Sequence, residues 1–152
     1  MALPNIFKQN EISQLVARID NLTPDSQRSW GKMDVAQMLA HLNVMFELAL
    51  ENKHPKPNQF VKLLLKTLVK GKIVSEKPYP KNSRTAPEML IKEQRDFGIE
   101  KQRLIKYLDH ISSKGERYFQ NKEHPSFGKL TTKEWSNTFY KHITHHLNQF
   151  SA

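Results

Sequence analysis

The sequence predicts an all-α protein: a four-helix bundle with one extra short helix and a long crossover connection, in a single domain over residues 1–152. Three observations carry this expectation. Apolar residues recur at spacings of three and four in several segments, the period of a helix with one buried face. Two capping boxes mark helix starts, Asp34 with Gln37 and Thr131 with Glu134. Only 5 glycines interrupt 152 residues, and no clean strand alternation appears.

The elements follow in order. A first helix is expected from about Gln9 to Asn21, with Ile12, Leu15, Val16 and Ile19 on one side, ended by Leu22-Thr23-Pro24-Asp25. The second starts after Asp34 and runs to about Glu51. Its apolar residues cover much of the circumference (Val35, Met38, Leu39, Leu42, Val44, Met45, Phe46, Leu48 and Ala49), which makes it central. Residues 52–58 form a loop. Gln59 to about Lys70 is a short amphipathic helix with Lys62, Lys66 and Lys70 in one stripe. Its leucines are expected to pack against the bundle, leaving the lysines solvated; lying on a membrane surface is the other use of such a helix. Pro78, Pro80 and Pro87 keep residues 71–95 mostly loop, a strap long enough to cover something functional. A further helix from about Asp96 to Ser113 buries Phe97, Leu104, Ile105, Leu108 and Ile111, with Gly115 as its stop. His124 to Gly128 is a turn, and the last helix runs from Thr131 to about Phe150.

Composition narrows the function classes. The chain has no cysteine, so disulfides, thiolate zinc sites and cysteine nucleophiles are excluded. No apolar stretch approaches the roughly 20 residues that span a bilayer. The opening Met-Ala-Leu-Pro-Asn-Ile-Phe is unlike a secretory signal, and a cytoplasmic location is expected. Lysine and arginine exceed the acids by 24 to 15. These cations extend from Lys8 to Lys141 without forming a basic arm, so no specific nucleic-acid partner is expected.

The histidines are the informative feature. Three of the seven fall in His142-Ile143-Thr144-His145-His146. Residues four apart share a helix face, so His142 and His146 can meet at one ion; His142 and His145, three apart, can also do so. At ~100° per residue, His146 lies roughly 50° from the centre of the face set by Trp135, Phe139, Ile143, Leu147 and Phe150. His142 lies about 90° away and His145 about 150° away, toward solvent or a partner. A third donor must come from a facing helix, and His41 sits on the central one. Hydrogen-bonded core histidines satisfy the same pattern. Three neutral imidazoles are the protein donor set of a catalytic zinc site, since structural sites have four. His54, His110 and His124 are expected to be solvated.

Met38-Leu39-Ala40-His41-Leu42 resembles the first ligand motif of the DinB/YfiT-like superfamily. The run Tyr140-Lys141-His142-Ile143-Thr144-His145-His146-Leu147-Asn148-Gln149-Phe150 resembles its closing motif. Trp30-Gly31-Lys32-Met33 and His124-Pro125-Ser126-Phe127-Gly128 resemble an uncharacterised branch of the same group. The resemblance implies an up-down-down-up bundle and a divalent metal, zinc or nickel, on His41, His142 and His146. It also implies a homodimer. Some relatives are transferases or isomerases that use low-molecular-weight thiols, and others resemble hydrolases.

The leading expectation is therefore a metal-dependent enzyme of the thiol-transferase or hydrolase kind, acting on a small molecule such as a low-molecular-weight thiol. A non-catalytic binding module for a protein or anionic partner is the alternative. A carboxylate near the metal is the expected general base. Glu47, nearly two helical turns from His41, is not assigned that role. No His-Glu-x-x-His motif, nucleophile elbow or phosphate loop is present.

Overall fold

The computed structural model describes residues 2–152. Its helices are α1 (Gln9–Asp20), α2 (Val35–Leu50), α3 (Gln59–Leu68), α4 (Lys70–Val74), α5 (Phe97–Phe119) and α6 (Thr132–Gln149). A 3-10 turn occupies Pro87–Met89. Two short antiparallel strands, β1 (Glu123–His124) and β2 (Gly128–Lys129), pair around the 124–128 turn. No helix among the described residues is long and apolar enough to cross a membrane.

Both capping boxes form. The Gln37 backbone N–H donates to Asp34 Oδ1 at 2.8 Å, and the Asp34 N–H donates to Gln37 Oε1 at 3.0 Å. At α6 the Glu134 N–H donates to Thr131 Oγ1, and the Thr131 N–H to Glu134 Oε2. Each box satisfies two amides that the helix itself leaves without partners. Gly115 does break a helix, with φ +69° inside α5, but the chain resumes helical geometry as far as Phe119. The helix expected to stop near Ser113 is thus continued by one more turn, which lets Phe119 reach the core.

Helices α1, α2, α5 and α6 share one core. Packing joins α2 to α5 and α6, and α1 to α5 and α6. Phe139 of α6 is fully buried at its centre, with ring centroids 5.0 Å from Phe46, 5.3 Å from Trp135 and 5.6 Å from Phe119. Phe7, just before α1, stacks on Phe119 at 4.8 Å and closes one end. A polar seam also joins α2 to α5. Asn43 Nδ2 donates to the Glu100 carbonyl and to Glu100 Oε2, and Arg103 donates to Glu100 and Glu47. The second carboxylate oxygen of Glu47 accepts from His54 Nε2 at 2.7 Å.

Three local expectations are corrected. First, α3 ends at Leu68, and its faces are reversed. Lys62 pairs with Glu123 at 2.7 Å and Lys70, the first residue of α4, with Glu134 at 3.1 Å, so these two lysines turn toward the body while Lys66 is exposed. Phe60, Leu63, Leu64 and Leu68 face solvent instead. Second, His54 is half-buried against Glu47 rather than solvated, whereas His110 is exposed as expected. Third, His124 is buried. The hairpin folds its ring onto Phe127 (4.5 Å) and Trp135 (5.4 Å), and its Nδ1 accepts the Ser126 N–H at 3.0 Å.

Burial pushes the His124 pKa down to about 4. The folded ring therefore stays neutral while the unfolded one takes up a proton near pH 6.5, so stability falls as pH drops from about 6.5 to about 4. A tenfold change in proton affinity is worth about 1.4 kcal/mol, so the loss across this window is about 3 kcal/mol. Denaturant unfolding of wild type and His124→Asn at pH 7 and pH 4 checks this. The variant keeps an acceptor for Ser126 and is expected to lose about 3 kcal/mol less stability than wild type across that interval.

Candidate metal centre

The histidine cluster is built where α2 and α6 face each other, beneath the strap that leads from α4 to α5. The donor nitrogens of His41, His142 and His146 lie within 4.8 Å of one another. Their ring centroids are 4.8 to 4.9 Å apart in all three pairs. His41 and His146 are buried, and His142 is half-buried.

What holds each ring is as informative as the convergence. His41 Nδ1 lies 2.8 Å from the Met89 carbonyl oxygen. A carbonyl only accepts, so Nδ1 carries the proton and the Nε2 lone pair points into the cluster. His146 is fixed by a longer relay. Gln149 Nε2 donates to the Trp30 carbonyl at 2.6 Å, which turns Gln149 Oε1 toward His146 Nδ1 at 2.7 Å. That oxygen accepts, so His146 also carries its proton on Nδ1 and offers Nε2. Gly31 makes the relay possible. Its φ of +82° is open to glycine, and a Cβ there would lie 2.5 Å from Gln149 Nε2. His142 Nδ1 has only the weak Met45 sulfur, at 3.2 Å.

His41 Nε2 and His142 Nε2 are 2.9 Å apart. His41 carries its proton on Nδ1, so His142 Nε2–H donates to the His41 Nε2 lone pair, and a cation bound there would take the place of that proton. Metal-ligating imidazoles commonly have the outer N–H anchored, and here His41 and His146 do.

The electrostatics favour neutral rings. Burial first, then the charge that His41 would carry, pushes the His146 pKa down to about 3 against the opposing Gln149 hydrogen bond. Burial lowers His41 as well, with the Met89 carbonyl acting in the other direction. Burial, reinforced by the neighbouring histidines, holds His142 well below its ordinary value. Three neutral donors at pH 7 are the state that ligation requires.

His145 is not turned to solvent. It is half-buried, its ring 5.6 Å from Trp30, 5.8 Å from Tyr79 and 5.1 Å from His146. The strap supplies the cover. Tyr79 lies edge-on to His142 at 6.1 Å. Lys141 reaches across from α6 to donate to the Lys72 and Ser75 carbonyls at 2.8 and 2.6 Å, and its ammonium lies over the Tyr79 ring at 4.3 Å. Burial brings the Lys141 pKa down to about 8. Asn137 donates to the Val74 carbonyl, a second tie between α6 and α4.

Sequence reasoning missed Met89, Tyr79 and Lys141, which meet the histidines only in three dimensions. Gln149 could have been found, because it stands three residues after His146 on the same helix. The expected carboxylate base is not found. Among the described residues no acid hydrogen-bonds or stacks against the three rings, and Glu47 is committed to Arg103 and His54.

The sequence model of the family described as "Protein of unknown function (DUF1569)" matches residues 5–152. No curated protein and no solved structure matches the chain.

Proposed function

The chain belongs to the DUF1569 family, and on that premise we propose that it is a metal-dependent enzyme with a single three-histidine site for a divalent ion. The observation that carries the proposal is the convergence of three neutral imidazoles, two of them with the outer nitrogen anchored so that Nε2 faces the others. Among the described residues the cluster is made of three histidines, and three protein donors are the set of catalytic rather than structural zinc sites. Zinc or nickel bound there would supply Lewis acidity, lowering the pKa of a thiol or a water molecule. The protein's own part is to hold the donors and to limit access. Met89 and Gln149 fix two rings, while Tyr79 and Lys141 keep the strap over them.

The four packed long helices and the placing of the histidines on α2 and α6 support a bundle of the DinB/YfiT-like kind. On that reading the substrate is a small molecule, a low-molecular-weight thiol in the transferase version and a water-cleaved ester or amide in the hydrolase version. One domain, a homodimer and a cytoplasmic location belong to the same proposal. A second reading is a non-catalytic binding module that takes an anionic or protein partner.

A cobalt-substituted sample distinguishes the two. Added thiols should shift its visible spectrum if the ion accepts a ligand from solution, and a spectrum indifferent to thiols and small anions would leave the binding module. The positioning role of Gln149 is separately testable. Gln149→Ala frees the His146 ring, and loss of such an outer partner typically lowers metal affinity about 10- to 100-fold. Competition against a chromogenic chelator should show that drop, and an unchanged affinity would remove Gln149 from the site.

A further inference from the structure

The reversed faces of α3 call for an occupant. On this helix Phe60 is 71 % exposed, Leu68 69 %, Leu63 58 % and Leu64 42 %. Only Leu65, and Val69 beyond the helix end, pack partly against the core. The orientation is held from the opposite side: Lys62 bonds Glu123, Lys70 at the start of α4 bonds Glu134, and the Lys66 side chain runs beside Gly128. Long-range ion pairs thus aim a contiguous apolar surface at solvent. Patches of this kind on soluble chains mark interaction sites.

The charge around the patch indicates what covers it. Residues 52–87 contain eight lysines and Arg84 against one acid, Glu76. That segment alone is formally +8, and although Lys53, Lys62 and Lys70 pair with Glu51, Glu123 and Glu134 outside it, the surroundings of the patch remain cationic. Lys56 before α3, and Lys72 and Lys77 after it, are exposed. A second copy of this chain would set two such fields against each other. An anionic lipid surface instead offers an apolar layer for the leucines and phosphates or carboxylates for the lysines.

We propose that α3 docks the protein on an anionic membrane surface, with Phe60, Leu63, Leu64 and Leu68 entering the boundary between headgroups and acyl chains. The attraction has two parts, the apolar face and the cationic flanks, and each should be separable. The proposal stands independently of the metal site, since none of these residues touches the three histidines.

Co-sedimentation with sucrose-loaded vesicles tests it on the full chain. Wild type should pellet with vesicles of phosphatidylcholine mixed with phosphatidylserine, stay in solution with phosphatidylcholine alone, and be released by high salt. The double variant F60S/L68S alters exposed positions, so its helical circular dichroism should match wild type. Its vesicle binding should fall about tenfold or more. The charge variant K72E/K77E should weaken binding about fivefold or more per lysine. Three results would overturn the proposal: wild type that ignores anionic vesicles, F60S/L68S that binds them as wild type does, or a wild-type dimer that F60S/L68S splits in equilibrium sedimentation while neither protein binds vesicles.

Discussion

Replacing His41, His142 or His146 with alanine is expected to abolish tight binding of a divalent ion in each case, with affinity falling by more than the roughly 10- to 100-fold that accompanies loss of an outer partner. His145→Ala is expected to leave affinity near the wild-type value. The difference arises within one helix turn. His142 and His146 aim into the cluster with His41, while the His145 ring lies against Trp30 and Tyr79. Titration of the four variants with zinc, read against a competing chelator, gives the comparison directly. Equal damage from His145→Ala and His146→Ala would show that His145 is a ligand and that the pairing along α6 has been misassigned.

Phe139→Ala should have the largest effect on stability. Its ring is fully buried and meets Phe46 from α2, Phe119 from α5, and Trp135 on its own helix. Truncating a buried phenylalanine removes its transfer free energy and leaves a cavity, together about 3–5 kcal/mol. Against a total stability of about 5–15 kcal/mol, that is enough to leave a substantial unfolded fraction on warming. Phe139 also lies one turn before His142, so the loosened helix should bind metal more weakly. Thermal unfolding followed by circular dichroism is the check. A variant that melts within a few degrees of wild type would mean that Phe139 does not anchor the core.

The parts of the fold written in short-range chemistry were legible in the sequence. Asp34 with Gln37 and Thr131 with Glu134 are three residues apart, and each box places a helix start within a residue. The buried face of α6, from Trp135 to Phe150, follows from its period alone. The facing of α3 was not legible. An amphipathic pattern gives two faces but not the one that turns inward, and the deciding partners, Glu123 and Glu134, lie more than 60 residues along the chain. His124 looked like a solvated turn residue because nothing local shows that the hairpin folds onto Trp135.

The site divides in the same way. His142 and His146 are paired by helical spacing, and His41 stands out as a histidine on an otherwise apolar helix. Their convergence depends on how α2 meets α6, and the outer layer depends on the strap. Met89 reaches His41 across 48 residues of sequence, and no local pattern marks a backbone carbonyl for that use.

Whether the cluster holds a metal is tested most directly by the metal content of protein purified without nickel affinity chromatography, measured before and after chelation. A single three-histidine site predicts about one divalent ion per chain. The aromatic and aliphatic core predicts that the chelated protein stays helical and unfolds cooperatively, losing only the stability linked to binding. Protein that carries no ion and shows no saturable binding of zinc, nickel or cobalt would contradict a metal centre, and the three histidines would then be a hydrogen-bonded cluster within the core.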